Sequence, residues 1–258
     1  MFPSKSAIIS GGGRFVNNYS IYLDGTTDYI NVADDATLDM GTGHYTLSVW
    51  AKLIVENQQS SLIQKRVGSG QYENYGLMIA DGSTSYNAGK KLVCTNLGVS
   101  GSGNRIAYKS DSDIIVDVNW HHYVAVVTFG TDIKLYIDGT LEASTEIYGS
   151  TPTWETTDNN QPLRIGESNS GFDTEGHLDE AAAWKGAALS ALNVKSIYNN
   201  GVPNDLTNPS SYATDQSSSL AGYWRMEEGT GTTVADSSGN GNIGTLANNA
   251  SFNFEAPR

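Results

Sequence analysis

A single cysteine in 258 residues excludes an intramolecular disulfide, so the fold must be held by packing alone. A sheet-rich domain of this length buries a full core without such staples. Cys94 lies in the strand-like run KLVCTNL and reads as a core residue. Basic residues are also few: 15 Lys and Arg stand against 28 Asp and Glu, a formal net charge of −13. That field repels phosphate backbones and anionic membranes and so excludes nucleic acid as an expected partner. It suits divalent cations, and it also serves plain solubility. No apolar run is long enough to span a bilayer, and the opening MFPSKSAIISGGG lacks the continuous apolar segment of a secretory signal. The expectation is a chain made in the cytoplasm without a leader and not inserted into a membrane.

What is present in quantity is Gly, Asn, Ser, Thr and Asp, with many aromatics and turn signals at short intervals. Such spacing reads as an antiparallel β protein with Greek-key or jelly-roll connections. Candidate strands include 19–23, 29–32, 45–53, 75–80, 91–97, 122–129, 133–137, 163–166 and 178–184. In YTLSVWAKL, Tyr45, Leu47, Val49, Ala51 and Leu53 share one face; Thr46, Ser48, Trp50 and Lys52 share the other. Ile133, Leu135 and Ile137 point inward from the next clear case, opposite Lys134 and Tyr136. HYVAVVTF is apolar on both faces, which predicts a central strand covered on both sides. The GTD after Phe129 and the DGT after Ile137 predict tight hairpin turns. One helix is expected, with Ser190 as N-cap, Val194, Ile197 and Tyr198 at helical spacing and Gly201 as the C-terminal cap. Residues 202–219 read as a long loop or linker, followed by a strand in LAGYWRMEE and a turn and short strand in DSSGNGNIGTL.

Five segments carry a resemblance. SIYLDGTTDYINV, YTLSVWAKL, NWHHYVAVVTFGTDIKLYIDGTLEAS, PLRIGES and GHLDEAAAWKGAALSALNVKSIYNNG follow in this order within residues 15–201. Together they resemble the laminin-G-like, concanavalin A-like family, with its Asp-Tyr opening, its Ser-x-Trp strand, its W-H … L-Y-x-D-G hairpin and its closing Asp-Glu strand and helix. The resemblance implies an all-β fold: an antiparallel jelly-roll β-sandwich with one short helix in the C-terminal half. It divides the chain into an N-terminal arm (1–14), a sandwich core (15–201), a linker or loop (202–219) and a C-terminal strand segment (220–258).

The sequence departs from the family in one respect: YWRMEEGTGTTVADSSGNGNIGTL, which in many members precedes the opening strand, comes last here, at 223–246. It either completes the sandwich edge from the other terminus, pairs with a neighbouring subunit, or begins a second, truncated domain. Chains ending in Y-N-x-G-x-P-x-D-L and then W-W-R-M, compared here with YNNGVPNDL and YWRM, resemble proteins encoded by marine bacteriophages. That resemblance implies a virion component.

Catalysis is not expected. Retaining glycosidases of this fold need two carboxylates about 5–5.5 Å apart, supplied by acids two or four apart on one strand face. The E-x-D-x-(x)-E run of the laminarinase type is missing, as is any G-x-S-x-G element. Asp179 and Glu180 are adjacent, as are Glu227 and Glu228, so on a regular strand each pair faces opposite ways. His121 and His122 are likewise neighbours on opposite faces and read as structural. Calcium is the cofactor the resemblance implies, held near the opening turn and the closing strand by Asp24, Asp28 and Asp179. The competing reading has Asp24 and Asp28 merely holding the turn through side-chain-to-backbone bonds. Asp236 to Gly241 begins like an EF-hand loop, but Ala247 stands where the Glu belongs, so the run reads as a turn.

Three aromatics are candidate ligand contacts. Trp50 and Tyr136 lie on the otherwise polar faces of their strands, beside Lys52 and Lys134, and Trp154 sits in the loop-like STPTWETTDNN. Trp50 and Tyr136 form either a binding platform or subunit interface, or a surface covered by a loop or by the helix after Ser190. Trp120, Trp184 and Trp224 read as core. The expectation for function is a non-catalytic virion structural protein: a capsid decoration or fibre adhesin module with capsid or fibre partners and host-surface glycans as ligands, assembled as a homo-oligomer, a trimer first. The alternative is a stand-alone calcium-dependent carbohydrate-binding lectin domain.

Overall fold

The computed structural model describes residues 15–54, 59–66, 73–81, 89–97, 105–114, 117–147, 154, 159–168 and 172–258, so the N-terminal arm lies outside it. Seventeen strands form among these residues: β1 (Ser20–Asp24), β2 (Tyr29–Val32), β3 (Tyr45–Leu53), β4 (Ser60–Arg66), β5 (Glu73–Ala80), β6 (Lys91–Leu97), β7 (Arg105–Ser110), β8 (His121–Thr128), β9 (Asp132–Ile137), β10 (Thr140–Leu141), β11 (Ser144–Glu146), β12 (Leu163–Ile165), β13 (Glu175–Lys185), β14 (Leu220–Trp224), β15 (Thr233–Val234), β16 (Gly244–Ala247) and β17 (Ser251–Asn253). They build two antiparallel sheets. One runs β10-β9-β8-β3-β13-β1-β17, with β14 also paired to β13; the other runs β11-β7-β6-β5-β4-β12-β2-β16-β15.

The inward alternation of each strand fills the space between the sheets. Tyr45, Leu47, Val49 and Ala51 from β3 and Tyr123, Ala125 and Val127 from β8 meet Ile63, Leu77, Cys94 and Ile165 of the opposite sheet. β8 lies between β3 and β9, and its other face is buried too, as an apolar pattern on both sides requires. The cover on that face is α1 (Ala191–Tyr198) with residues 187–212. Val194, Ile197, Leu206 and Tyr212 pack there on Val124, Val126, Tyr136, Trp184 and Tyr223. Each such side chain contributes about 1.5–3 kcal/mol relative to exposure, enough for a layer this small to stay seated.

Ser190 caps α1, its hydroxyl accepting from the Asn193 amide at 3.2 Å. The helix does not run to Gly201 for its cap. Asn199 already turns left-handed (φ 48°), and Asn200 follows (φ 57°), because asparagine enters that region at low cost. At the DGT hairpin, Asp138 and Gly139 both have positive φ, and a Cβ on Gly139 would stand 2.9 Å from the Tyr198 ring. The hairpin turn and the end of α1 therefore pack against each other.

The C-terminal segment extends both sheets within the same chain. β14 pairs with β13, β16 with β2, and β17 with β1. Asp236 closes the turn between them, its carboxylate accepting from the amides of Tyr223, Ser238 and Asn242 at 3.0, 2.8 and 2.9 Å. No helix among the described residues is long and apolar enough to cross a membrane.

Candidate functional site

The outward face of the nine-stranded sheet carries a cross-strand row that the registers place side by side. Thr245 is opposite Asn31, Asn31 opposite Arg164, Arg164 opposite Gln64, Gln64 opposite Gly76 and Gly76 opposite Thr95. At about 4.8 Å per strand these six residues span roughly 24 Å. The row is exposed at Thr245, half-buried at Asn31 and Arg164, and buried at Gln64 (1 % exposed) and Thr95 (0 %). Polar residues fall here because each alternates with an inward apolar neighbour: Ile30 and Val32 flank Asn31, Leu163 and Ile165 flank Arg164.

At the accessible end, the Arg164 guanidinium lies 4.5 Å over the Tyr29 ring and is ion-paired through Nη1 with Glu167. At the buried end, Gln64 Oε1 accepts from the Ser61 hydroxyl at 3.1 Å, while its Nε2 has no partner. Gly76 lets that amide lie flat across β5, since a Cβ there would stand 3.0–3.1 Å from the Gln64 side chain. Thr95 Oγ1 and Gln59 Oε1 are also buried without a partner. Buried polar atoms are normally satisfied, and leaving one unpaired costs about 1–3 kcal/mol. An amide donor, a hydroxyl and an amide oxygen thus lie buried and unpaired on one sheet face, a set that an uncharged polar ligand reaching them would satisfy.

Asp173 borders this face, since the residues on either side of it bond to β4: Phe172 O accepts from the Ser61 amide and the Thr174 hydroxyl donates to Ser61 O. Its carboxyl is pushed up to about 6, first by burial and then by Glu167 and Asp24, with Arg164 opposing and Asp28 adding.

The sequence-predicted residues fall elsewhere. Asp24 and Asp28 meet at the opening turn. Asp24 Oδ1 accepts from the Thr26 amide and hydroxyl at 2.9 and 2.7 Å, and Asp28 accepts from the Asp24 and Asn249 amides at 3.2 and 2.8 Å. Asp179 does not join them. The register sets Glu175 opposite Asp24, which leaves Asp179 four strand positions away, about 13 Å. Its oxygens take the Asn17 side-chain amide (3.0 Å) and the Glu180 backbone amide (2.9 Å). The three carboxylates therefore do not fit a calcium site, and no group of three or more His, Cys, Asp or Glu among the described residues could hold a metal. Adding a chelator is expected to leave the melting temperature unchanged; a fall of several degrees would contradict this.

Trp50 and Tyr136 are corrected as ligand contacts: both are buried under α1 and its flanking residues. Trp50 is stacked on His122 (4.8 Å) and Tyr198 (5.6 Å). Trp154 is half-buried with its ring 5.3 Å from Phe129. Trp184 and Trp224 are core, but Trp120 is only half-buried at the start of β8. His121 bridges Asp138 and Asp117 at 2.7 and 3.1 Å, and His122 bonds Ser48 at 2.7 Å, so both histidines are structural.

One local expectation fails. A β-bulge at Glu180 (φ 49°) breaks the alternation of β13, and Asp179 and Glu180 both turn to the outward side of the eight-stranded sheet. Both are buried and engaged with the chain itself, Glu180 through the Tyr223 hydroxyl and Arg225, so neither is open to a substrate.

Two facing antiparallel sheets, a helix clasped to one and a polar row on the other define a concanavalin A-like jelly roll. Residues 24–195 match the model of the Concanavalin A-like lectin/glucanases superfamily, and the chain belongs to that family. No curated protein matches the chain. Among solved structures, a Bacteroides ovatus protein described as carbohydrate binding aligns over 93% of this chain at 15% identity with a TM-score of 0.65; the chain spans 61% of that protein's length. The Ruminococcus gnavus IT-sialidase CBM40 bound to alpha2,3 sialyllactose aligns over 69% of this chain and 96% of its own, at 13% identity and TM-score 0.51. At these identities the likeness is one of fold.

Proposed function

We propose that this domain is a non-catalytic carbohydrate-binding module that holds a saccharide on the outward face of its nine-stranded sheet. The observation that carries this reading is the row ending in Gln64 and Thr95, with buried polar atoms that have no hydrogen-bond partner among the described residues. Sugar hydroxyls donate and accept at once, and so suit an amide N–H, a threonine hydroxyl and an amide oxygen together. The half-exposed Tyr29 and Arg164 add a flat surface at the entrance.

The test is a glycan array followed by titration calorimetry, with Thr95→Val as the diagnostic variant. Valine keeps the shape of threonine and removes an unpaired buried hydroxyl, so folding stability should hold or rise. Affinity for the saccharide should fall by about tenfold, the worth of one hydrogen bond in a dry site. Loss of binding together with loss of fold, or no loss of binding, would contradict the assignment.

Virion attachment, capsid or fibre partners and a trimer were expected from the resemblance of the last segments. Those residues, 198–206 and 223–226, all lie outside the family match, and the structures named above support saccharide binding instead. The lectin alternative is thus the reading the site supports. A mass-spectrometric inventory of purified particles would decide the virion placement separately.

A further inference from the structure

We propose that the outward face of the nine-stranded sheet selects uncharged saccharides and rejects those bearing a carboxylate, such as sialylated or uronic-acid chains; this rests on the carbohydrate-binding reading above. A site for a carboxylate needs a cation with a free fork of N–H donors. Arg164 is the cation of the row, and its guanidinium is already committed, paired to Glu167 and laid flat over Tyr29. Lys91 and Lys109 also stand on this face, but three and four strands away from Arg164, about 14 and 19 Å, and Lys91 is paired to Asp113.

Carboxylates gather at the same end. Burial first and then Glu167, Asp24 and Asp28 hold the Asp173 carboxyl up, with Arg164 opposing, so acidic side chains gather around it. The chain as a whole carries −13, which pushes the same way. An acidic sugar entering past Asp173 would meet like charge, and the unpaired atoms at the inner end, Gln64 Nε2, Thr95 Oγ1 and Gln59 Oε1, are all neutral. A charge brought into that buried end would lose water without gaining a counter-ion. Neutral hydroxyls face neither cost.

The experiment uses the full chain on an array in which each neutral oligosaccharide is printed beside its sialylated or uronic-acid-bearing counterpart, at low ionic strength and again at high salt. Binding confined to neutral members, with acidic counterparts at least about tenfold weaker at low salt, is the expected result. The gap should narrow as salt rises, because the repulsion is screened. Two variants, Asp173→Asn and Glu167→Gln, should each raise the acidic-to-neutral affinity ratio, the second by freeing the Arg164 fork. Acidic members bound as well as neutral ones would overturn the selectivity while leaving carbohydrate binding intact. A folded chain that binds no member of either kind would overturn both.

Discussion

Replacing Trp224 with alanine should destabilise the domain by about 4 kcal/mol, the largest loss expected of any single substitution considered. Trp224 lies on β14, which pairs with β13 and bridges Asp236, and its side chain is wholly buried in the core between the sheets. Two features fix it there. Its indole N–H donates to Asn242 O at 2.7 Å, and Gly222, two residues earlier on the same face, leaves the room its six-membered ring occupies. Asn242 in turn donates to Ala221 O and to the Thr37 hydroxyl, both at 2.8 Å. The residue therefore rivets the C-terminal segment to β13 and to the turn after β2 at once. Alanine would leave a large cavity and an unpaired carbonyl, and the two costs add. Trp224→Phe is the informative companion, because it keeps most of the ring and loses the N–H, for a cost of about 1–2 kcal/mol. Urea unfolding followed by circular dichroism would measure both. An alanine variant within about 1 kcal/mol of the parent would mean that the C-terminal segment is an appendage to the core.

Much of this architecture is readable from local alternation, and what is not readable has a common cause. The inward faces of β3, β8 and β9 follow from period-two patterning, and so does the double burial of β8. The Ser190 cap follows from residue type alone. Trp50 and Tyr136 could not be placed this way, since whether a strand face is open depends on residues 187–212, far along the chain. The bulge at Glu180 is invisible to alternation, which assigns Asp179 and Glu180 to opposite faces because it assumes every residue is paired. The polar row is the deepest case. Asn31, Gln64, Arg164 and Thr95 each appear as an ordinary polar residue in its own strand, and only the registers of five strands bring them into line. Alternation within PLRIGES hints at an outward Arg164, but nothing local gives it Tyr29 as a neighbour. The grouping of Asp24, Asp28 and Asp179 was out of reach for the same reason: Asp24 and Asp179 sit on adjacent strands, but the register separates them along the strand direction.

Stability should decline as pH rises from about 6.5 to 8, by roughly 2 kcal/mol from Glu180, and Glu180→Gln should remove that part of the decline. Glu180 lies on the bulge of β13, beside a cavity of about 10 Å³ that it shares with Ser48, Trp50, His122 and Asn204 under α1. Burial pushes its carboxyl up to about 8 from an ordinary 4.5, and the nearby Arg225 and the Tyr223 hydroxyl only partly offset this. The adjacent Asp179 is also raised by burial and by Glu180 itself, and Glu227 adds to both. A carboxyl that stays protonated in the fold but ionises at 4.5 in the unfolded chain favours folding fully below pH 4.5. That contribution is lost progressively as pH climbs through the folded value near 8. His122 works in the opposite sense. Burial lowers it to about 3, so its contribution is complete above 6.5 and is lost as pH falls toward 3. Between 4.5 and 6.5 these two slopes oppose each other, and only above 6.5 does Glu180 act without that opposition. Glutamine keeps an oxygen to accept the Tyr223 hydroxyl while removing the titration, and it gives up only the charge that Glu180 would turn to Arg225 above about pH 8. Urea midpoints taken from pH 4.5 to 9 should therefore fall steeply above 6.5 for the parent and more shallowly for the variant. Parallel curves would place the proton elsewhere and make the Glu180–Arg225 pair ionised in the fold, so that the covering layer is held by a salt bridge and not by a neutral hydrogen-bonded acid.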